Sequence, residues 1–335
     1  MSRKLRWALI GASDIAESRV LPAIRANGDE ALLVRSANAE HGKRWAEKNS
    51  VPHVVTSLDE ALDRNDIDAV YISSLNTLHC EQTLAAAAAG KHVLAEKPLA
   101  MNLDDARKMV DACKKAGVVM ATNHHLPANP VHREMKKIVQ SGGIGEVRAI
   151  RFNHAVKLPP HLVGWRVDAK DEGGVIFDVT VHDAAAIAAI LGTQAIEVSA
   201  IAKNQDNDPS GPEDAVVSTI LWDKNILVQT HDSYNNAHLP TSVHILGTDG
   251  ALLADDCNTG DPAGTLHIFK NKKSNEIVIG ERVDLYVQTI AAFKDAVAGT
   301  GDVLVSGEDG IRSLAVAIAV AQAVKTAGRV PVAHN

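Results

Sequence analysis

Over its first 122 residues the chain alternates short apolar runs, rich in β-branched residues, with segments of helix-forming composition. The runs fall at residues 5–10, 31–36, 69–73, 92–95 and 118–122, and the helical segments lie near 15–27, 39–49, 58–64, 81–89 and 103–116. Connections long enough to hold a helix let consecutive strands run parallel, with the helices covering the sheet. The last of these helices carries its own punctuation. Asn102 is a ready N-cap, Asp104 and Asp105 complement the positive end of the helix dipole, and Gly117 suits the left-handed turn that stops it. A doubly wound parallel sheet over residues 1–123 is the α/β fold that this rhythm predicts.

The pattern changes after Thr122. Pro130 suits the first turn of a helix running to Ser141, which Gly142-Gly143 closes. A strand at 147–153, a polar loop bearing Pro and Gly from about Lys157 to Gly174, and a helix over 175–191 follow. Further β-type runs lie at 196–202, 215–222, 226–230, 242–246, 251–254 and 266–269, with Asp223-Lys224-Asn225 and Asp249-Gly250 as hairpin connectors. Two helices close the chain, at 286–297 and 311–326. Residues 124–335 are therefore expected to form an α+β domain with a large, mostly antiparallel open sheet and helices on one face.

Composition narrows the partners. With 335 residues there is length for two cores, and a formal net charge of −7 with both signs interspersed gives no basic footprint for nucleic acid or an acidic membrane surface. The early apolar run Trp7-Ala8-Leu9-Ile10 stops at Gly11, short of a signal-peptide core, and no run reaches membrane-spanning length, so a cytoplasmic location is expected. Cys80, Cys113 and Cys257 are isolated and lack metal-ligand spacing, which fits reduced thiols.

The first run leads into Gly11-Ala12-Ser13-Asp14-Ile15-Ala16, in the position of the G-x-G-x-x-G dinucleotide fingerprint of the Rossmann fold. Gly11 would make the tight turn, Ser13 stands at the second glycine, Ala16 still allows close helix packing, and the helix N-terminus would face phosphate. The second run ends in Val34-Arg35-Ser36-Ala37-Asn38 with no carboxylate for a ribose 2′-hydroxyl. That favours NADP(H), with NAD(H) as the alternative, and Ser36 could accept a 2′-phosphate helped by Arg35, His41, Lys43 or Arg44. The third run continues into Ser73-Ser74-Leu75-Asn76-Thr77-Leu78-His79, whose polar groups suit the nicotinamide side. One strand further on, Leu94-Ala95-Glu96-Lys97-Pro98-Leu99 places Lys97 at a carboxyl strand end, where open α/β sheets bind ligands and a cation can meet a carbonyl.

In the second half, Glu172-Gly173-Gly174-Val175-Ile176-Phe177-Asp178-Val179-Thr180-Val181-His182-Asp183 sets Asp178 and His182 at i and i+4 on one helix face among apolar neighbours. No H-E-x-x-H or Cys/His spacing accompanies them or His124-His125, so no metal is expected.

Glu96-Lys97-Pro98, the Asn76/His79 loop and Asp178-x-x-x-His182 together resemble the glucose-fructose oxidoreductase and inositol dehydrogenase (Gfo/Idh/MocA) family over essentially the whole chain. More specific motifs resemble its sugar-ketone reductases: Leu9-Ile10-Gly11-Ala12-Ser13, Thr122-Asn123-His124-His125-Leu126, Leu158-Pro159-Pro160-His161-Leu162 and Gly164-Trp165-Arg166. The resemblance implies NADPH-dependent reduction of a cyclic sugar ketone, with Lys97 and His182 at the reacting carbonyl, Asp178 orienting the histidine, and either cation giving the proton. It implies Gly11 to Ala16, Ser36, His41, Ser74, Asn76, His79, Glu96, Lys97 and Asn123 on the cofactor side. On the sugar side it implies Lys97, His124, His161, Trp165, Arg166, Asp178 and His182. His41 replaces the reductases' arginine, and the glycine run before Val175 is one residue shorter than theirs. An inositol or polyol dehydrogenase, an NAD-dependent glycoside hydrolase on the same scaffold and a non-catalytic dinucleotide sensor are the competing readings. Family members often pair through the open sheet face, so the protein is expected as a monomer or as a homo-oligomer built there.

Overall fold

The computed structural model describes residues 4–168, 173–206 and 211–334. Two compact units result: Met1–His124 with Asp284–Ile311, and His125–Val283 with Arg312–Asn335.

In the first unit a six-stranded sheet runs in the order β3-β2-β1-β4-β5-β6. These are β1 (Arg6–Ile10), β2 (Glu30–Arg35), β3 (His53–Val55), β4 (Ala69–Ile72), β5 (His92–Ala95) and β6 (Met120–Thr122). Every pairing is parallel. Order reverses between β1 and β4, which is the point where such sheets open a ligand crevice at their carboxyl ends. The central strands are buried almost throughout, Trp7, Leu9, Ile10, Tyr71, Ile72 and Leu94 among them, as a sheet covered on both faces requires. Helix Leu103–Ala116 is capped as its sequence indicates. The Asn102 side chain accepts from Asp105 N at 2.9 Å, and Gly117 takes φ 70°.

The division falls at His124/His125, one residue from the expected boundary, and the later segment Asp284–Ile311 groups with the first unit. Buried charge and ring contact tie it there. Lys294 Nζ donates to Asp29 Oδ1 at 2.6 Å and to Asn27 O at 2.9 Å, and Phe293 packs on Trp7 with ring centroids 5.1 Å apart. Asp29 also accepts from Leu5 N and Trp7 Nε1. Replacing Lys294 by Met should therefore strand a buried carboxylate and cost about 3 kcal/mol, read as a lower urea midpoint. Little change would mean that the pair adds no net stability.

The second unit holds a nine-stranded sheet in the order β14-β13-β12-β11-β7-β10-β9-β8-β15. Its strands are β7 (Val147–Ala155), β8 (Ala195–Lys203), β9 (Ala215–Trp222), β10 (Ile226–Ser233), β11 (Ser242–Gly247), β12 (Ala251–Asp255), β13 (Thr265–Lys270), β14 (Lys273–Glu276) and β15 (Val330–Pro331). All neighbours are antiparallel except β7 and β10, which are parallel. Burial alternates along β10, with Val228, Thr230 and Asp232 inside and Leu227, Gln229 and His231 outside. The outer face is unusually apolar in places, Ile201 being 73% and Leu227 62% exposed. Helices Pro130–Gln140 and Val181–Leu191 pack together, and alanines at 184, 185 and 186 keep the second one thin enough to lie close to its neighbours. The expected single helix over 175–191 resolves into a π-helical turn, Ile176–Thr180, followed by the α-helix Val181–Leu191. Such wide turns recur at functional sites.

Among the described residues no helix is long and apolar enough to cross a membrane. The three cysteines are free, Cys113 and Cys257 buried and Cys80 half-buried.

Candidate functional site

In the first unit the predicted cofactor residues collect at the carboxyl ends of β1, β2, β4, β5 and β6 and just beyond them. Gly11 has φ +123°, and a Cβ there would sit 2.7 Å from the carbonyl oxygen of Ser73. Only glycine lets β1 turn this close to the end of β4. Ser13, in the second-glycine position, caps the following helix. Its Oγ accepts from Ala16 N at 3.2 Å and donates to Ser73 Oγ at 2.8 Å. Ala16 is fully buried, which is the close helix packing that the fingerprint's last position demands.

Beyond β2, Ser36 Oγ donates to Asn38 O at 3.0 Å, and the Asn38 side chain caps helix Ala39–Asn49 by accepting from His41 N at 2.9 Å. His41 Nε2 donates to Ala12 O at 3.0 Å, which ties the helix start to the Gly11 turn. Arg35 points its Nε at Thr56 O, 3.0 Å away. A glycine turn backed by a capped helix start fits the binding of a dinucleotide. Ser74 donates to Gln82 Oε1 at 2.7 Å, Asn76 is buried in the turn Asn76–Leu78, and the buried His79 donates from Nδ1 to Pro98 O at 3.1 Å. His79 thereby holds the backbone that follows Lys97.

Glu96 anchors the base of Lys97. Its Oε1 accepts from Tyr71 OH at 2.6 Å and Asn123 Nδ2 at 2.5 Å, and its Oε2 from Lys97 N at 3.3 Å. Burial pushes the Glu96 carboxyl up, while the hydrogen bonds from Tyr71 and Asn123 and the Lys97 charge pull it back. The Lys97–Pro98 bond is cis. Lys97 is half-buried, with His124 close enough to feel its charge.

His124 is itself buried, and burial first, then Lys97, pushes its pKa down to about 3. His132, buried in the second unit, is pushed down to about 4, again mainly by burial. Both folded values lie below the unfolded value of 6.5, so the unfolded chain takes up these protons first. Stability is then fully present above pH 6.5 and falls with pH toward about 4, where His132 charges, and about 3, where His124 does. The measurement is urea denaturation between pH 7 and 4. Phe at both positions should flatten the slope, and an unchanged slope would mean that other groups set it.

In the second unit the turn Ile176–Thr180 carries Asp178, and His182 follows on the α-helix, both buried. Asp178 Oδ2 accepts from Arg166 Nε at 2.9 Å and from Tyr234 OH at 2.9 Å. Arg166, expected on the sugar side, thus supports the carboxylate, and its Nη1 donates to Leu162 O at 3.4 Å. Trp165 begins the short helix Trp165–Asp168, but its side chain and Glu172 lie outside the described residues. His161 sits exposed in the turn Pro160–Leu162. The His182 ring meets that of His125 edge-on, centroids 4.6 Å apart.

At Gly174 (φ +96°) a Cβ would fall 2.4 Å from the Glu213 carboxylate, which accepts from Ile176 N at 3.2 Å and so caps the turn. Among the described residues no group of three or more His, Cys, Asp or Glu forms a metal-holding cluster.

Tyr71, Tyr234 and Glu213 were not singled out by the sequence. The two tyrosines carried a usable signal: each lies in or beside an apolar strand, where a buried hydroxyl needs a polar partner.

A parallel sheet with a glycine turn at its switch point, and a lysine at the end of β5, define a dinucleotide-dependent oxidoreductase architecture. The oxidoreductase family model described as "NAD-binding Rossmann fold" matches residues 5–124, and the GFO/IDH/MocA C-terminal domain matches residues 132–253. The chain belongs to the Gfo/Idh/MocA oxidoreductase family. It is 42% identical over 322 residues to 1,5-anhydro-D-fructose reductase of Ensifer adhaerens, covering 96% of each chain. It is 26% identical to myo-inositol 2-dehydrogenase of Thermotoga maritima, covering 85% of this chain and 86% of that one. Aldose-aldose oxidoreductase of Caulobacter crescentus shares the fold, with TM-score 0.88 at 22% identity over 98% of this chain and 100% of that one.

Proposed function

We propose that the protein is a sugar-ketone reductase that uses NADPH to convert 1,5-anhydro-D-fructose, or a closely related cyclic ketose, to the anhydrohexitol. The observation that carries this reading is the 42% identity to the Ensifer adhaerens reductase across 96% of both chains. It is supported by Lys97 just beyond β5 and by Asp178 and His182 on consecutive turns of the second unit.

Gly11 to Ala16, Ser36, His41, Ser74, Asn76, His79, Glu96 and Asn123 would hold the dinucleotide, which supplies hydride when bound. The absence of a carboxylate after β2 supports NADPH over NADH. As a ketone is reduced, negative charge grows on its oxygen. Lys97 polarises that oxygen, and the Glu96 carboxyl with its Tyr71 and Asn123 bonds fixes the backbone from which the lysine extends. His182 gives up a proton to the same oxygen. Asp178, held by Arg166 and Tyr234 on the turn before it, orients the imidazole. His124, His161 and Arg166 contact the sugar. The protein is a monomer or a homo-oligomer formed through the outer face of the second unit's sheet, where Ile201 and Leu227 are exposed, and light scattering distinguishes the two.

The test is oxidation of NADPH and NADH against anhydroketoses, osones and inosose-type ketones. Expected is turnover of 1,5-anhydro-D-fructose with NADPH preferred. Activity confined to inositols with NAD would replace this reading by the dehydrogenase one.

A further inference from the structure

The inner face of the second unit's sheet carries a buried polar strip that the proposed chemistry does not use. His154 on β7 lies opposite Asp232 on the parallel strand β10. Helix Val181–Leu191 lowers Asp183 onto the same spot, and both aspartates are wholly buried. Each carboxyl group has one oxygen accounted for. Asp183 Oδ1 lies 2.7 Å from His154 Nδ1, which donates to it, and Asp232 Oδ2 accepts from the Thr180 hydroxyl. The other two, Asp183 Oδ2 and Asp232 Oδ1, are buried with no hydrogen-bond partner among the described residues. The two carboxyl groups nonetheless lie within hydrogen-bonding reach of each other. Two buried carboxylates in contact cannot both stay ionised, and a proton placed between them satisfies both orphaned oxygens at once.

We propose that Asp183 and Asp232 share one proton between Asp183 Oδ2 and Asp232 Oδ1, and that the pair clamps the start of the helix bearing His182 onto β7 and β10. Thr180 and Asp183 flank His182 in sequence, so one carboxyl group on β10 holds the chain on both sides of it. Asp183 and Asp232 are in this sense positioning residues. The titratable groups packed around the pair are His154 from β7, Cys257 from the segment after β12, and His132, which acts on His154 from helix Pro130–Gln140. Burial raises both aspartates well above the ordinary carboxylate range, in line with a retained proton. The positioning role rests on His182 serving as the acid; the shared proton does not.

Asp232→Asn replaces the shared proton by a permanent N–H, with Nδ2 donating to Asp183 and Oδ1 accepting from Thr180. The full-length protein and this variant are compared by urea denaturation from about pH 5 upward. The folded wild type keeps a proton that the unfolded carboxylates, with pKa about 4, have released. Its unfolding constant should therefore rise about tenfold per pH unit relative to the variant until the pair ionises. Parallel slopes overturn the shared proton.

In the activity arm Asp232→Asn keeps kcat, whereas Asp232→Leu lowers it about 10- to 100-fold with an unchanged KM for NADPH. Wild-type kcat in a folded Leu variant overturns the clamp. Should that variant not fold, the slope comparison still decides the shared proton, and it reads the same even if every sugar ketone proves inert.

Discussion

His182→Asn is expected to lower kcat by about 10²- to 10⁴-fold, the usual worth of a well-placed general acid, while the dissociation constant for NADPH stays unchanged. The two readouts separate because His182 belongs to the second unit, whereas the glycine turn and the Ser36 end of β2 lie in the first. Asparagine keeps a donor of similar size but no titrating proton, so the buried turn around Asp178 and its bonds to Arg166 and Tyr234 should survive. A loss in kcat and kcat/KM together marks an interaction made only in the transition state. Asp178→Asn, which leaves Tyr234 and Arg166 their acceptor but removes the negative charge, should show a smaller loss in kcat, since the turn that orients the imidazole keeps its bonds. Near wild-type kcat in His182→Asn would remove His182 from the mechanism.

Much of this was legible in the sequence because it is local. The Asn102 cap, the Gly117 stop and the turn at Gly11 are each decided by a few neighbouring residues. Lys97 could be placed at a strand end from β5 alone. What escaped was set by distance along the chain. The return of Asp284–Ile311 to the first unit rests on Lys294 meeting Asp29, 265 residues earlier, and a lysine in an amphipathic helix reads as a solvated residue until its partner is known. Tyr234 reaches Asp178 across 56 residues. Three edge strands were missed for another reason. β3 has three residues and β15 two, too few for an alternation to register, and β14 is Lys273-Ser274-Asn275-Glu276, exposed along its whole length and stabilised by a ladder with β13 rather than by burial. The bond from Arg166 to Asp178 is a matter of side-chain direction, which spacing does not encode.

Lys97→Met keeps the aliphatic stem and deletes the charge, and kcat should fall by about 10²- to 10³-fold, as for loss of a donor to a developing oxyanion. Two groups nearby report the deletion without any substrate. The Lys97 charge is one of the influences that hold the His124 pKa down to about 3, so His124 should titrate at higher pH in the variant, though still below its unperturbed value because burial is the larger cause. The same charge helps keep Glu96 ionised against its burial, so its carboxyl should protonate more readily. A neutral Glu96 accepts more weakly from Tyr71, Asn123 and the Lys97 amide, and the strand end that presents residue 97 should loosen. NMR titration of His124 and amide exchange at 96–98 read these effects apart from catalysis. Shifts in both with kcat intact would make Lys97 an electrostatic prop of its own strand end. A kcat loss with His124 unmoved would place its ammonium away from that imidazole and leave the oxyanion role standing.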